Sequence, residues 1–473
     1  MLSRCCESMP AGGMAPGRTL FRRDNERFRK TVTTVDANGQ GPAAEAGGLR
    51  TVTRALRHRN FRLFFAGQGV SLIGSWIQWT TMGWLVYDLT GSQRLLGTVN
   101  FASQIPALFL AGIAGALADR WNRRRLVVAT QTLAALQAAA LAALTLTGAV
   151  QVWHIIALGV MIGIVNAFDV PARQSLVIDL LEDRADLPNA IALNSTLFNT
   201  ARLVGPMIAG AVIALFSPGF CFLVNAVSFS AVIGALLLMR SPARPPGPAH
   251  RHVLAELKDG LSYVWGHKPI RAVLLMIALT SLMGMPYAVL MPVFARDVLH
   301  GGAQVKALLG SAYANDIAHA DALALGLLVA APGIGALAGA LFLASRRNVV
   351  RMGRMLAFAS TLFGASLIAF SLSRNLWLSM ALLVPAGFGI LIQMAGGNTV
   401  IQTLVDDDKR GRVMSCWTMA FMGMTPFGAL LAGETADRIG APTAVLLGGT
   451  VCVLAAIALG SRLMGLRVEK PAA

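Results

Sequence analysis

Apolar runs of membrane-crossing length, separated by short polar breaks, recur along the chain from residue 61 to residue 462. A helix crossing the hydrocarbon core of a bilayer needs about 20 apolar residues. The runs at 61–87, 96–118, 126–149, 152–175, 190–216, 219–239, 271–295, 322–344, 354–373, 376–404, 412–435 and 441–462 meet that length. They predict an all-α membrane protein with twelve transmembrane helices. Residues 1–59 hold no such run and predict a disordered basic tail. A second polar segment, 241–270, opens as SPARPPGPAH, whose prolines exclude a continuous helix. It continues with Val253, Leu254, Leu257, Leu261 and Val264 near helical spacing, which predicts an interfacial amphipathic helix. The expected organisation is therefore a six-helix bundle over 60–240, a cytoplasmic linker over 241–270, a second bundle over 271–463 and a tail over 464–473.

The two bundles carry landmarks in the same order. Arg62 to Asp88 spans 26 positions, as does Arg271 to Asp297, and Pro106 to Asp119 spans 13, as does Pro332 to Ser345. Asp88 to Pro106 is 18 positions but Asp297 to Pro332 is 35, so the second half carries a 17-residue insertion, assigned to the polar stretch 304–320. A parallel 6 + 6 repeat is expected.

Composition agrees with a membrane chain. Hydrophobic types make up 55% of 473 residues and charged types 13%, against about 25% charged in soluble domains. This excludes an ordinary soluble enzyme and a disordered chain. A net charge of +17 in a soluble protein would suggest nucleic acid. Here its distribution says otherwise. With the N-terminus inside, inner segments hold 34 of the 40 Lys and Arg, outer loops hold five, and Arg202 alone lies within a span. This asymmetry places both termini in the cytoplasm. No nucleic-acid partner is expected. The five cysteines lack metal-ligand spacing, and no HExxH, GxSxG or GxxxxGK[ST] pattern occurs, so no metal, no cofactor, no enzyme activity and no nucleotide drive are expected.

The stretch GALADRWNRRRL, between spans two and three, resembles the loop signature of the major facilitator transporters through Gly115, Leu117, Asp119, Arg120, Arg123 and Arg124. Asn122 replaces the second glycine of that signature, as a residue that tolerates a left-handed turn. RNFRLFFAGQGVSLIGSWIQ, FDVPARQSLVIDL, NSTLFNTARLVGPMIAG, PYAVLMPVFARDVL and DDKRGRVMS further resemble the bacterial enterobactin-exporter and macrolide-efflux subfamily over about residues 55–465. The resemblance implies a monomeric transporter of the bacterial inner membrane, exporting a drug-like or siderophore-like molecule on an ion gradient, with protons as the coupling ion. The alternatives are a lysophospholipid-type lipid transporter and a transport-inactive sensor or scaffold. Drug/proton antiporters of the superfamily often carry an arginine in span four. None stands here between Trp153 and Asp169.

Several residues then become candidates. Gly115, Asp119, Arg120, Arg123 and Arg124 form a gating motif, because an aspartate among arginines at a helix end can lock one of two bundle arrangements. Gln68, Ser71, Ser75 and Gln78 share one face of span one and are expected to line a cavity, with Trp76 and Trp79 as aromatic surface. Asn100, Gln104, Asn166, Asn199, Gln393 and Asn398 extend that candidate cavity. Arg202, about midway through span five, needs a cavity or a partner. Asp169 is the expected one, as a coupling pair. Gly205 and Pro206 supply a hinge in span five. The lining is polar, aromatic and weakly charged, which suits a small amphipathic organic molecule better than a sugar phosphate or a bare ion; the lipid bilayer is the other expected partner. A phosphate-selective site would show two or more midplane arginines.

Overall fold

The computed structural model describes residues 53–239, 253–309, 317–345, 352–406 and 408–463, without the side chains of 111–113, 116–120, 184, 253–258, 309, 317–318, 344 and 462. Contacts divide the chain into two units, Met1–Arg54 and Ala55–Ala473, and the helices that follow belong to the second. The first half holds α1 (Arg59–Thr90), α2 (Gln93–Arg120), α3 (Arg123–Leu146), α4 (Val152–Asp179), α5 (Leu187–Leu215) and α6 (Pro218–Leu238). The second holds α7 (Lys268–Val298), α8 (Ile317–Ala344), α9 (Met352–Leu372), α10 (Leu376–Leu404), α11 (Arg410–Ile439) and α12 (Ala441–Leu463). Ten of these, α3 to α12, are long and apolar enough to cross a membrane among the described residues.

Local chemistry sets several boundaries. Gly91 ends α1 with φ 61°, its N–H returning to the Tyr87 carbonyl, a conformation glycine adopts without strain. Pro218 opens α6, where its missing N–H is no loss. Asn122 differs from expectation. Its φ is −65°, not left-handed, and its side chain caps α3 by accepting from the Arg125 N–H at 3.1 Å. The residue serves as a helix cap. α7 is irregular, with π turns at Thr280–Gly284 and Phe294–Val298 around a tighter segment that contains Pro286.

Helix pairing repeats between the halves. In the first, α1 packs on α5 and α6, α2 on α4, and α3 on α4 and α6. In the second, α7 packs on α11 and α12, α8 on α10, and α9 on α10 and α12. The closest pairings between halves are α5 with α8 and α2 with α11. Small residues make both crossings. A Cβ on Gly97 would stand 2.5 Å from the Ala429 carbonyl oxygen, and one on Gly326 would stand 2.6 Å from that of Pro206. Close backbone approach is how membrane helices associate when lipid is as apolar as the helices themselves.

The polar stripe of α1 faces helices. Gln78 Nε2 donates to Gln137 of α3 at 2.9 Å, and Asn225 of α6 donates to Gln78 Oε1 at 2.8 Å. Ser71 donates to Gln131 at 3.4 Å, Ser75 to the Ser71 carbonyl, and Gln68 is buried. Gly67 and Gly74 lie on the same face, against α6, and bring α6 close enough for these bonds. Replacing Gln78 by Ala is expected to cost about 1 kcal/mol, the size of a net buried hydrogen bond, seen as a lowered Tm in detergent with transport retained. Lost transport at an unchanged Tm would return Gln78 to the cavity.

The helix Val253–Gly266 precedes α7. Gly260 lies against the Arg412 backbone, Tyr263 donates to Asp406 at 2.9 Å, and Asp259 pairs with Lys409 at 3.2 Å and with Arg412. Leu261 and Trp265 are exposed, as an interfacial helix requires. The hydrogen bond from the Lys409 ammonium, with the Arg412 charge beside it, holds the Asp259 carboxyl below its ordinary value of 3.8. The contribution of this clamp is therefore complete above 3.8 and lost only as pH falls through the lowered value. Amide protection factors over 259–266 are expected to match at pH 7 and pH 5. Asp259→Asn should reduce them at both.

Candidate substrate cavity and gate

One end of the seam between the halves is closed by side chains the repeat brings together. Asp88 and Asp297, corresponding landmarks, meet crosswise: Arg296 pairs with Asp88 at 3.2 Å, and the Tyr87 hydroxyl donates to Asp297. Arg94 of α2 pairs with Glu434 of α11 at 2.9 Å, and Arg438 holds the same carboxylate at 2.6 Å. Beside them, part of the insertion forms a short helix, Gly301–Leu309. Its Gln304 accepts from the Leu376 N–H at 2.8 Å, and Asp321 of α8 accepts from the Gly302 N–H at 2.7 Å. Residues 310–316 of the insertion lie outside the described residues.

Next to this closure lies a small, partly open pocket between α1 and α2 of one half and α7 and α8 of the other. Trp79, Thr80, Gly83 and Val86 line it from the face of α1 about a quarter turn from the polar stripe, and Asn100 lines it from α2. The rest of its wall is mostly aliphatic. Beyond Trp79 the aromatic surface continues: Trp76 stacks edge-on to Trp79 with centroids 5.6 Å apart and to Phe198 of α5 at 5.8 Å. The Arg202 guanidinium lies over the Trp76 ring, 5.9 Å from its centroid, and within electrostatic reach of Tyr287 on α7. Gly205 makes this possible, since a Cβ there would stand 2.5 Å from Trp76 Cβ. Pro206 donates no hydrogen bond to the Arg202 carbonyl four residues back, which loosens α5 at this turn.

The structure separates the expected coupling pair. Asp169 is buried and its Oδ1 accepts from Thr130 Oγ1 and Gln131 Nε2, both at 2.8 Å, while Oδ2 lies 3.4 Å from Arg173 Nε one turn along α4. Arg202 has no carboxylate partner among the described residues. Helix geometry explains the outcome, because an i,i+4 arginine is already within reach and α3 fills the space beside Asp169. Gln393 is another correction: it is fully buried and donates to Thr280 of α7 at 2.9 Å, a helix contact. Asn398 accepts from Gln402 at 2.8 Å, and Asn199 donates to the Ser195 carbonyl at 2.9 Å. Asn166 is exposed. Gln104 donates to Asn100, a helical turn away.

At the opposite end of the molecule, Arg123 pairs with Asp179 of α4 at 2.7 Å and Arg124 donates to the Leu237 carbonyl of α6 at 2.9 Å. A Cβ on Gly115 would meet open space. The side chains of Asp119 and Arg120 lie outside the described residues. Sequence reasoning did not single out Tyr87, Arg94, Phe198, Tyr287, Arg296 or Glu434 as site residues. For Tyr87 and Arg296 a signal existed, since each adjoins a repeat landmark aspartate.

A bundle of apolar helices, paired twice over and closed at one end beside a pocket lined by both halves, is the build of a multi-pass membrane transporter. A family model described as transmembrane secretion effector matches residues 51–315 and 305–471. The chain belongs to this family, a branch of the major facilitator superfamily whose members are transporters, not enzymes. It is 27% identical over 413 residues to the staphyloferrin A transporter of Staphylococcus aureus, covering 86% of this chain and 98% of that protein. It is 28% identical to the multidrug efflux pump Tap of Mycolicibacterium fortuitum (79% and 87% covered) and 23% identical to macrolide efflux protein A of Streptococcus pyogenes (85% and 96%). Among solved structures, the nucleoside transporter NupG matches with a TM-score of 0.64 at 15% identity, over 87% of this chain and all of that one. A bacterial Spinster homologue in an inward-facing, unoccupied conformation matches with a TM-score of 0.62, also at 15% identity, over 86% and 98%.

Proposed function

We propose that this protein is a proton-coupled secondary transporter of the bacterial inner membrane that exports an amphipathic organic molecule by alternating access. The observation that carries the reading is the cross-half closure through Asp88–Arg296, Tyr87–Asp297 and Arg94–Glu434 beside a cavity lined by both halves. Relatives named for a siderophore, a macrolide and multiple drugs support an organic cargo. The duplicated helix pairings support twelve spans in two six-helix halves. The Lys and Arg asymmetry supports cytoplasmic termini. In that orientation the closed end is the outer one and the state is inward-facing. The gating motif around Arg123 and Arg124 then sits at the inner end, where its bonds to α4 and α6 stiffen the first half as it rocks. Arg202, Trp76, Trp79, Asn100 and Gln104 bind cargo, Asp169 with Arg173 carries the coupling proton, and Gly205 and Pro206 form the hinge.

The test is accumulation of fluorescent amphipathic dyes and a catecholate siderophore in cells with and without the protein, each with and without a protonophore. Lower accumulation that the protonophore abolishes is the expected result. Equal accumulation across the panel would refute the export reading.

A further inference from the structure

The cavity and its approach hold one charge without a counter-charge. None of the residues lining this pocket is ionisable to an anion or cation at neutral pH. Among the described residues, the one buried carboxylate in the middle of the first half, Asp169, is neutralised by Arg173 and by hydrogen bonds from α3. Arg202 stands midway along α5, half-buried, with the Trp76 ring 5.9 Å from its guanidinium and no carboxylate partner among the described residues. A cation at membrane depth costs at least about 2.5 kcal/mol on insertion scales. A contact with an aromatic face returns about 0.5–2 kcal/mol, and leaves the five N–H donors of the fork unused.

A guanidinium matches a carboxylate or sulfonate in two parallel hydrogen bonds, and a low-dielectric wall strengthens them. The rings of Trp76, Trp79 and Phe198 beside it offer a flat apolar surface continuous with the cavity. Resting on the export reading above, we propose that the cargo is an organic anion, its acidic group held by Arg202 and its apolar body lying on Trp76, Trp79 and Phe198. Cationic amphiphiles are disfavoured by the same residue, since no carboxylate among the described residues lies beside these rings to receive them.

The test uses inverted membrane vesicles from cells expressing the full chain, energised by respiration, and two dyes on one xanthene framework: fluorescein, an anion, and rhodamine 123, a cation. Energised uptake of fluorescein should exceed that of rhodamine 123 by about tenfold, the effect of one charge-assisted hydrogen bond. Arg202→Gln should bring that ratio to within about twofold, and Arg202→Lys should give an intermediate ratio, because it keeps the charge but loses the planar fork, with both variants inserted and unfolding near the wild-type Tm. A wild type that prefers rhodamine 123, or an R202Q variant that keeps the anion preference, overturns the inference and leaves the export reading standing. Uptake of neither dye in energised vesicles counts against both.

Discussion

Replacing Gly326 by leucine is expected to abolish transport while leaving each half folded. A Cβ at 326 would stand 2.6 Å from the Pro206 carbonyl oxygen and 3.1 Å from Gly210 Cα, and these are backbone atoms that no rotamer can move aside. Packed interiors do not absorb such volume without a shift of the elements themselves. α5 and α8 belong to different halves, so the shift opens the seam and leaves each half's own packing intact. The closed state that carries Asp88–Arg296 and Tyr87–Asp297 then loses population. Two measurements check this. Energised uptake should fall by at least about a hundredfold, an effect of roughly 2.7 kcal/mol on the closed state. A cysteine placed at Val86, in the cavity wall below the closure, should become reactive to an impermeant maleimide added outside. Gly234→Leu is the control, because a Cβ there meets open space. Near-normal transport by Gly326→Leu would show that the seam does not open and close.

Neutralising Asp169 should uncouple transport from the proton gradient. Asp169→Asn keeps the shape of the side chain, but it removes the titratable group and places an N–H₂ group where one carboxylate oxygen now accepts. The variant is expected to fold and to exchange cargo down its gradient in counterflow. Its uphill transport should be lost across pH 6 to 8. Asp169→Ala is harsher. It leaves the Arg173 charge without its partner and the Thr130 and Gln131 donors unpaired. Breaking one side of a buried ion pair costs about 3–5 kcal/mol. Arg173 is 25% exposed on its side chain, so the expected loss lies nearer about 2–3 kcal/mol. Removing both charges, in Asp169→Ala with Arg173→Ala, should be milder than the single change. Uphill transport by Asp169→Asn that still responds to a protonophore would move the coupling site elsewhere.

The candidate site was legible where cost forces an outcome. Arg202 announces itself because an arginine inside an apolar run must be explained, and the structure brings it to the aromatic surface of Trp76 and Trp79. Its partner was not legible. Asp169 and Arg202 lie at comparable heights on neighbouring spans, but height along a helix says nothing about rotation around it. The i,i+4 arginine won because it needs no neighbour to face it. The stripe from Gln68 to Gln78 shows the same limit. A polar face on a membrane helix must avoid lipid, which admits both a cavity and a helix partner. Gly67 and Gly74 on that face were the overlooked sign of a partner.

Sequence alone determined the class of this protein: the apolar runs, their punctuation, the inner bias of Lys and Arg, and the repeated landmarks. Each of these follows from the bilayer, which demands helices of a certain length and apolarity, and from duplication, which preserves order. Tertiary structure alone decided which polar groups face each other and which face the cavity. It paired Asp88 with Arg296 across the seam, gave Gln393 to Thr280, and left Arg202 without a carboxylate among the described residues. Those choices depend on helix rotation and on backbone approach at single glycines. A one-dimensional pattern of apolar and polar positions narrows both without specifying either.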